Sequence, residues 1–103
     1  MASYTVRVVL RDVQDHDGDE YNELHSAMEA QGFARDIESD SDRLYKMPPA
    51  EYNFEGNAEI KDVMLKAKKA ASTTGHEFRV LITESVRRRW YNLEEIELLI
   101  DPN

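Results

Sequence analysis

The chain has no cysteine, which excludes disulfide bonds and thiolate-ligated metal sites. Its four glycines form no phosphate-cradling loop, and no nucleophile-elbow motif is present. Both absences argue against nucleotide hydrolysis and serine hydrolase chemistry. No apolar run approaches membrane-spanning length, and the opening MASYTVRVVL reads as a strand without a charged leader. A cytoplasmic, soluble protein with no membrane association is the expectation. Positive charge is also short: 13 Lys and Arg stand against 21 Asp and Glu, a net charge of −8. That field repels phosphates, so nucleic-acid binding would need a local basic patch. It suits docking on a basic protein equally well.

What is present is a regular succession of periodicities. Tyr4, Val6, Val8 and Leu10 alternate with Thr5, Arg7 and Val9, the pattern of a half-buried strand. The acidic run 11–19 is a loop. Tyr21, Leu24, Met28 and Gly32 then share a helical stripe, with Asp17 and Glu20 in capping-box positions and Gly32 as the stop. Residues 33–38 read as a second strand, Ser39-Asp40-Ser41-Asp42 as a turn, and 43–54 as a third strand. Pro48-Pro49 interrupts the third, so a bulge or break is expected there, with 50–54 resuming the pairing. Asn57 suits an N-cap for a second helix that buries Ile60, Val63, Met64, Ala67 and Ala71 and stops at Gly75. Phe78, Val80 and Ile82 point inward on a fourth strand, and Arg79, Leu81 and Thr83 outward. Residues 88–91 are read as hairpinning back as a short fifth strand.

The order strand, helix, two strands, helix, strand is that of an α+β ferredoxin-like βαββαβ sandwich. It predicts one antiparallel four-stranded sheet with two helices on one face. Residues 1–93 form this single domain, and 94–103 an acidic-apolar tail that becomes a terminal helix or docks on a partner chain.

Three constellations bear on chemistry. Asp12, Asp15, Asp17, Asp19 and Glu20, with His16 among them, suit a hard divalent cation such as magnesium, although the spacing is not an EF-hand. Asp12 stands out because it directly follows the first strand; the bland reading is a solvated loop that caps a helix. His16, His25 and His76 would suit metal-free RNA cleavage, but nothing in the sequence brings two of them together. Arg7 and Arg79 would share the open sheet face, with Arg87, Arg88, Arg89, Trp90 and Tyr91 at the end of the same strand pair. Arginines contact phosphates and aromatics stack on unpaired bases, so this cluster points to single-stranded nucleic acid. The competing reading pairs Arg7 and Arg79 with neighbouring carboxylates and uses Trp90 to close the core. The lysines at 61, 66, 68 and 69 form a solvated helix face.

The blocks YTVRVVL, LHSAMEAQGF (24–33), PAEYN (49–53) and VLITES followed by Trp90-Tyr91 resemble the type V toxin–antitoxin endoribonuclease antitoxins of the GhoS kind. The resemblance spans most of residues 3–93. It implies a ferredoxin-like fold similar to that of CRISPR-associated nucleases, and an RNA-binding endoribonuclease that cleaves single-stranded messenger RNA. In those nucleases an aspartate ends the first strand, and Asp12 occupies the comparable place, as a catalytic residue and a ligand for Mg2+. A homodimer through sheet edges or the C-terminal segment is expected. The alternative is a non-enzymatic acidic regulator, phage-encoded, that binds a basic host protein.

Overall fold

The computed structural model describes residues 2–16 and 18–96. Alternation makes Ala2–Leu10 the first strand, β1, with Tyr4, Val6, Val8 and Leu10 buried on one side. Helix α1 runs Asp19–Ala30 and buries Tyr21, Leu24 and Met28 as one stripe. Asp19 and Glu20 fall in its first turn, at the positive end of the helix dipole. Gly18 is the N-cap and provides no side-chain cap; Asp17, expected to cap, lies outside the described residues. The helix stops where expected, with Gly32 at φ 92°, a left-handed conformation that suits glycine.

The next segment departs from expectation. Of 33–38 only Asp36–Glu38 forms a strand, β2, while Ala34 makes an isolated bridge to Asn53. The expected third strand is cut in two, into β3 (Leu44–Lys46) and β4 (Glu51–Gly56). The break falls at Pro48-Pro49, as anticipated. Neither proline donates to a ladder, Ala50 takes φ 68°, and the Glu51 N–H closes a turn on Pro48 O at 3.1 Å.

Helix α2 covers Ile60–Ser72 and buries Val63, Ala67, Ala70 and Ala71. It starts later than Asn57 suggested, with Glu59 as N-cap, so Ile60 opens the first turn and remains 45% exposed. Strand β5 is Phe78–Ser85, with Phe78, Val80 and Ile82 packed on the core and Arg79, Leu81 and Thr83 exposed, as the alternation predicts. A two-residue strand, β6, follows at Glu95–Ile96.

The result is an α+β protein with two antiparallel three-stranded sheets, in the orders β4-β1-β5 and β2-β3-β6. The single four-stranded sheet expected from the sequence is divided because the diproline turn leaves β3 beside β2. β4 pairs with β1 from Ala2↔Gly56 to Arg7↔Glu51, and β5 pairs with it from Ser3↔Ser85 to Leu10↔Phe78. The buried stripes of both helices join Tyr4, Val6, Val8 and Leu10 in one hydrophobic cluster. Among the described residues no helix packs against the opposite face of the β4-β1-β5 sheet. Three buried phenols each have a partner: Tyr4 donates to Ala58 O at 2.6 Å, Tyr21 accepts the Leu10 N–H at 3.0 Å, and Tyr52 meets His25 Nδ1 at 2.6 Å. A buried hydroxyl without such a bond would be costly. Among the described residues no helix is long and apolar enough to cross a membrane.

Candidate nucleic-acid interface

The helix-free face is set by the odd-numbered residues of β1 and their cross-strand neighbours. Thr5 lies between Asn53 and Thr83, and Arg7 between Glu51 and Leu81, while Arg79 stands beside Val9. Arg7 and Arg79 are therefore diagonal neighbours across β1 and β5, both exposed, with Cβ atoms about 7 Å apart. Neither has an ion pair among the described residues. Two like charges at that separation repel, and a bound anion would relieve the repulsion.

From Ser85 the chain does not hairpin back. Residues 88–91 form no strand; the segment 86–94 instead crosses from the first sheet to the second, where β6 pairs with β3 through Leu44↔Ile96 and Tyr45↔Glu95. The pairing extends one residue further through Lys46 N–H to Glu94 O, 2.8 Å. The crossing is fixed by alternate side chains. Arg88 donates from Nη1 to Asn53 Oδ1 at 2.7 Å and lies 4.0 Å from Glu55, its side chain only 18% exposed. Burial pushes the Arg88 guanidinium below its ordinary pKa, against the opposing pull of Glu55. Trp90 packs on Tyr45, with ring centroids 5.6 Å apart.

The other side chains of the segment face out. Arg87, Arg89 and Tyr91 are exposed, Tyr91 at 92%, and neither arginine has an ion pair among the described residues. The basic-aromatic run is thus two sets. Arg88 and Trp90 hold the segment down, while Arg87, Arg89 and Tyr91 stay available. The competing reading is not met, since Arg7 and Arg79 have no carboxylate partner among the described residues and Trp90 packs on Tyr45 outside the main hydrophobic cluster. Between the segment and the sheet lies a groove of about 560 Å³, lined on the sheet side by Thr5, Glu51, Thr83 and Ser85.

Asp12 is elsewhere. It sits in the turn after β1, exposed, with φ 65°. Leu10, where β1 ends, is five residues from Thr5, the neighbour of Asn53; at about 3.4 Å per residue this is about 17 Å. Among the described residues no three His, Asp or Glu side chains come together to hold a metal, around Asp12 or elsewhere. The chain's own described residues do not complete a magnesium site.

The structure does bring together the histidines that the sequence left apart. His16 stacks on Tyr21 with centroids 4.6 Å apart, Tyr21 lies 6.2 Å from His25, and His25 is 5.7 Å from Tyr52. The visible signal was the spacing of Tyr21 and His25, one helical turn apart on one face. Tyr52 adds the closing member from β4. Burial pushes its phenol well above the ordinary tyrosine pKa, outweighing the downward pull of Arg35. His16 Nδ1 is buried with no hydrogen-bond partner among the described residues. His76 stays outside the row, in the turn before β5.

Compared with known proteins, the chain matches no family model, no curated protein and no solved structure.

Proposed function

We propose that this protein binds single-stranded RNA across the helix-free face of the β4-β1-β5 sheet and the segment that crosses it. One observation carries the reading. On a chain of net charge −8, the arginines Arg7, Arg79, Arg87 and Arg89 gather at this face without carboxylate partners among the described residues. Elsewhere Arg11 pairs with Glu77, Arg43 with Glu95 and Lys46 with Glu94. Unpaired arginines beside an exposed tyrosine suit phosphates and unpaired bases.

The finer fold reading belongs to the same proposal. The Ala34↔Asn53 bridge sets the chain beside the outer edge of β4, which supports a ferredoxin-like strand order with its fourth strand reduced to one bridge. With that order, the GhoS-type resemblance favours an antitoxin endoribonuclease that cleaves messenger RNA. Asp12 is the proposed catalytic carboxylate. A magnesium ion there would take its remaining ligands from water, substrate phosphate or a second copy of the chain. β5 lies at a sheet edge, which supports a homodimer through that edge.

The deciding experiment uses labelled single-stranded RNA, with magnesium and with EDTA, beside Asp12→Asn. Asparagine tolerates the left-handed backbone that this position requires, so the variant removes charge without straining the turn. Cleavage that needs magnesium and is lost in the variant supports the enzyme. Cleavage that persists in EDTA moves the chemistry to His16 and His25. Binding without cleavage leaves an RNA-binding protein.

A second reading is favoured by the opposite end of the molecule. Asp12, Asp19, Glu20 and Glu23 are exposed there without ion pairs among the described residues. This surface suits a non-enzymatic regulator docked on a basic host protein. That reading predicts no RNA binding, and a captured partner lost when Asp15, Asp17 and Asp19 become asparagine.

A further inference from the structure

The geometry points to the groove beneath segment 86–94 as a pocket for one unpaired nucleotide, with Glu51 selecting guanine. The inference rests on the RNA reading for the source of the nucleotide; the pocket's chemistry is its own.

The space fits. About 560 Å³ lies within the range of small-molecule sites, roughly 300–1,000 Å³. Met47, Pro48 and Trp90 supply apolar wall for a heteroaromatic ring. Thr5 and Ser85 place their hydroxyls 3.5 Å apart along the sheet side, polar groups for a sugar or base edge. Arg87 and Arg89 line the same groove and are exposed, which places a phosphate at the mouth. The wider hollow on the other side of the segment shares the arginines 87–89 but sets three carboxylates, Glu38, Asp40 and Glu55, against them, where the first groove has only Glu51.

Glu51 decides the base. It is half-buried in the groove, opposite Arg7 in the sheet register, yet it has no ion pair among the described residues. An ionised carboxylate accepts hydrogen bonds and donates none. The pairing edges of adenine and cytosine set one amino group beside a ring nitrogen that is itself an acceptor. Uracil sets one N–H between two carbonyls. Guanine alone presents two adjacent donors, N1–H and the N2 amino group, and these match the two carboxylate oxygens. Binding guanine would also give a half-buried charge the partners it lacks.

Trp90 is the chain's single tryptophan and lines the groove, so its emission reports occupancy. The full chain is titrated with the 5′-monophosphates of guanosine, adenosine, cytidine and uridine, and with inorganic phosphate. The guanosine nucleotide is expected to saturate the signal at concentrations about tenfold to a hundredfold below the uridine nucleotide. Glu51→Gln should abolish that preference with the thermal unfolding curve unchanged. Arg89→Ala should weaken all four nucleotides alike. Equal binding of the four, or a guanine preference that survives Glu51→Gln, overturns the assignment. No nucleotide response from a chain that still binds labelled single-stranded RNA overturns the pocket and leaves the RNA reading intact. A guanine preference without any RNA binding upholds the pocket and overturns the RNA reading.

Discussion

Arg88 Nη1 donates to Asn53 Oδ1 across 2.7 Å, and Asn53 is at the same time the residue whose backbone bridges Ala34 in both directions. One position of β4 therefore holds three parts of the chain: its own strand pairing with Thr5, the segment after α1, and the segment that follows β5. Asn53 is only 9% exposed, so its amide depends on these partners rather than on water.

Arg88→Ala is expected to destabilise the protein by about 1.5–3 kcal/mol, the range for a hydrogen bond to a charged group. Asn53→Ala should cost a similar amount, and the double variant less than the sum of the two. Urea unfolding of the four proteins measures the coupling. Strict additivity would mean that the contact does not hold the segment.

RNA affinity should respond differently to neighbouring arginines. Arg87→Ala and Arg89→Ala should each weaken binding and lower the slope of log K against log salt by about one. Arg88→Ala should leave that slope unchanged, because its guanidinium is already engaged by Asn53 and Glu55. Fluorescence anisotropy across a salt series separates the two behaviours; a reduced slope for Arg88→Ala would place it among the phosphate contacts.

The division within 87–91 marks how far the sequence could be read. β1, β5 and both helices follow from alternation and helical stripes in which Tyr4, Leu24, Val63 and Val80 fall where packing needs them. The diproline break was also legible, because proline's missing donor is a local property. The destination of the chain on either side of that break was not. Whether Leu44–Lys46 continues beside β1 or pairs with β6 depends on residues fifty positions away, and no local pattern records such a choice. Likewise Arg88 differs from Arg87 and Arg89 only by the parity that turns it toward Asn53. The row from His16 to Tyr52 needed the β4 register before its last member could be placed.

High pH should expose the burial of Tyr52. Its folded pKa is raised above that of an unfolded tyrosine, about 10, so folding favours the neutral phenol. That contribution is fully present below about pH 10 and declines as pH rises beyond it. Tyr52→Phe should flatten the alkaline part of the stability profile. It should also cost about 1 kcal/mol at neutral pH, since His25 Nδ1 loses the hydroxyl 2.6 Å away. Urea midpoints from pH 7 to 11 for both proteins provide the comparison.

Gly32→Ala should destabilise by about 1–2 kcal/mol, the penalty for an L-residue forced to a left-handed backbone at φ 92°. Space is not the cause, because an added Cβ would meet only Phe54 at 3.5 Å, an ordinary contact. A thermal melt of Gly32→Ala beside Gly32→Asn checks the origin: asparagine, which enters this conformation more readily, should recover part of the loss.

The position of β1 between β4 and β5 has a consequence for biosynthesis. The first of the six described strands in chain order is the centre of its sheet, and its partner on one side is complete only at Ser85. β1 must therefore wait, with the face of Tyr4, Val6, Val8 and Leu10 incompletely covered, until α2 and β5 have emerged. Folding of these elements is then closer to a single event that awaits β5 than to a stepwise one, and a chain stalled before β5 would leave that apolar strand face exposed.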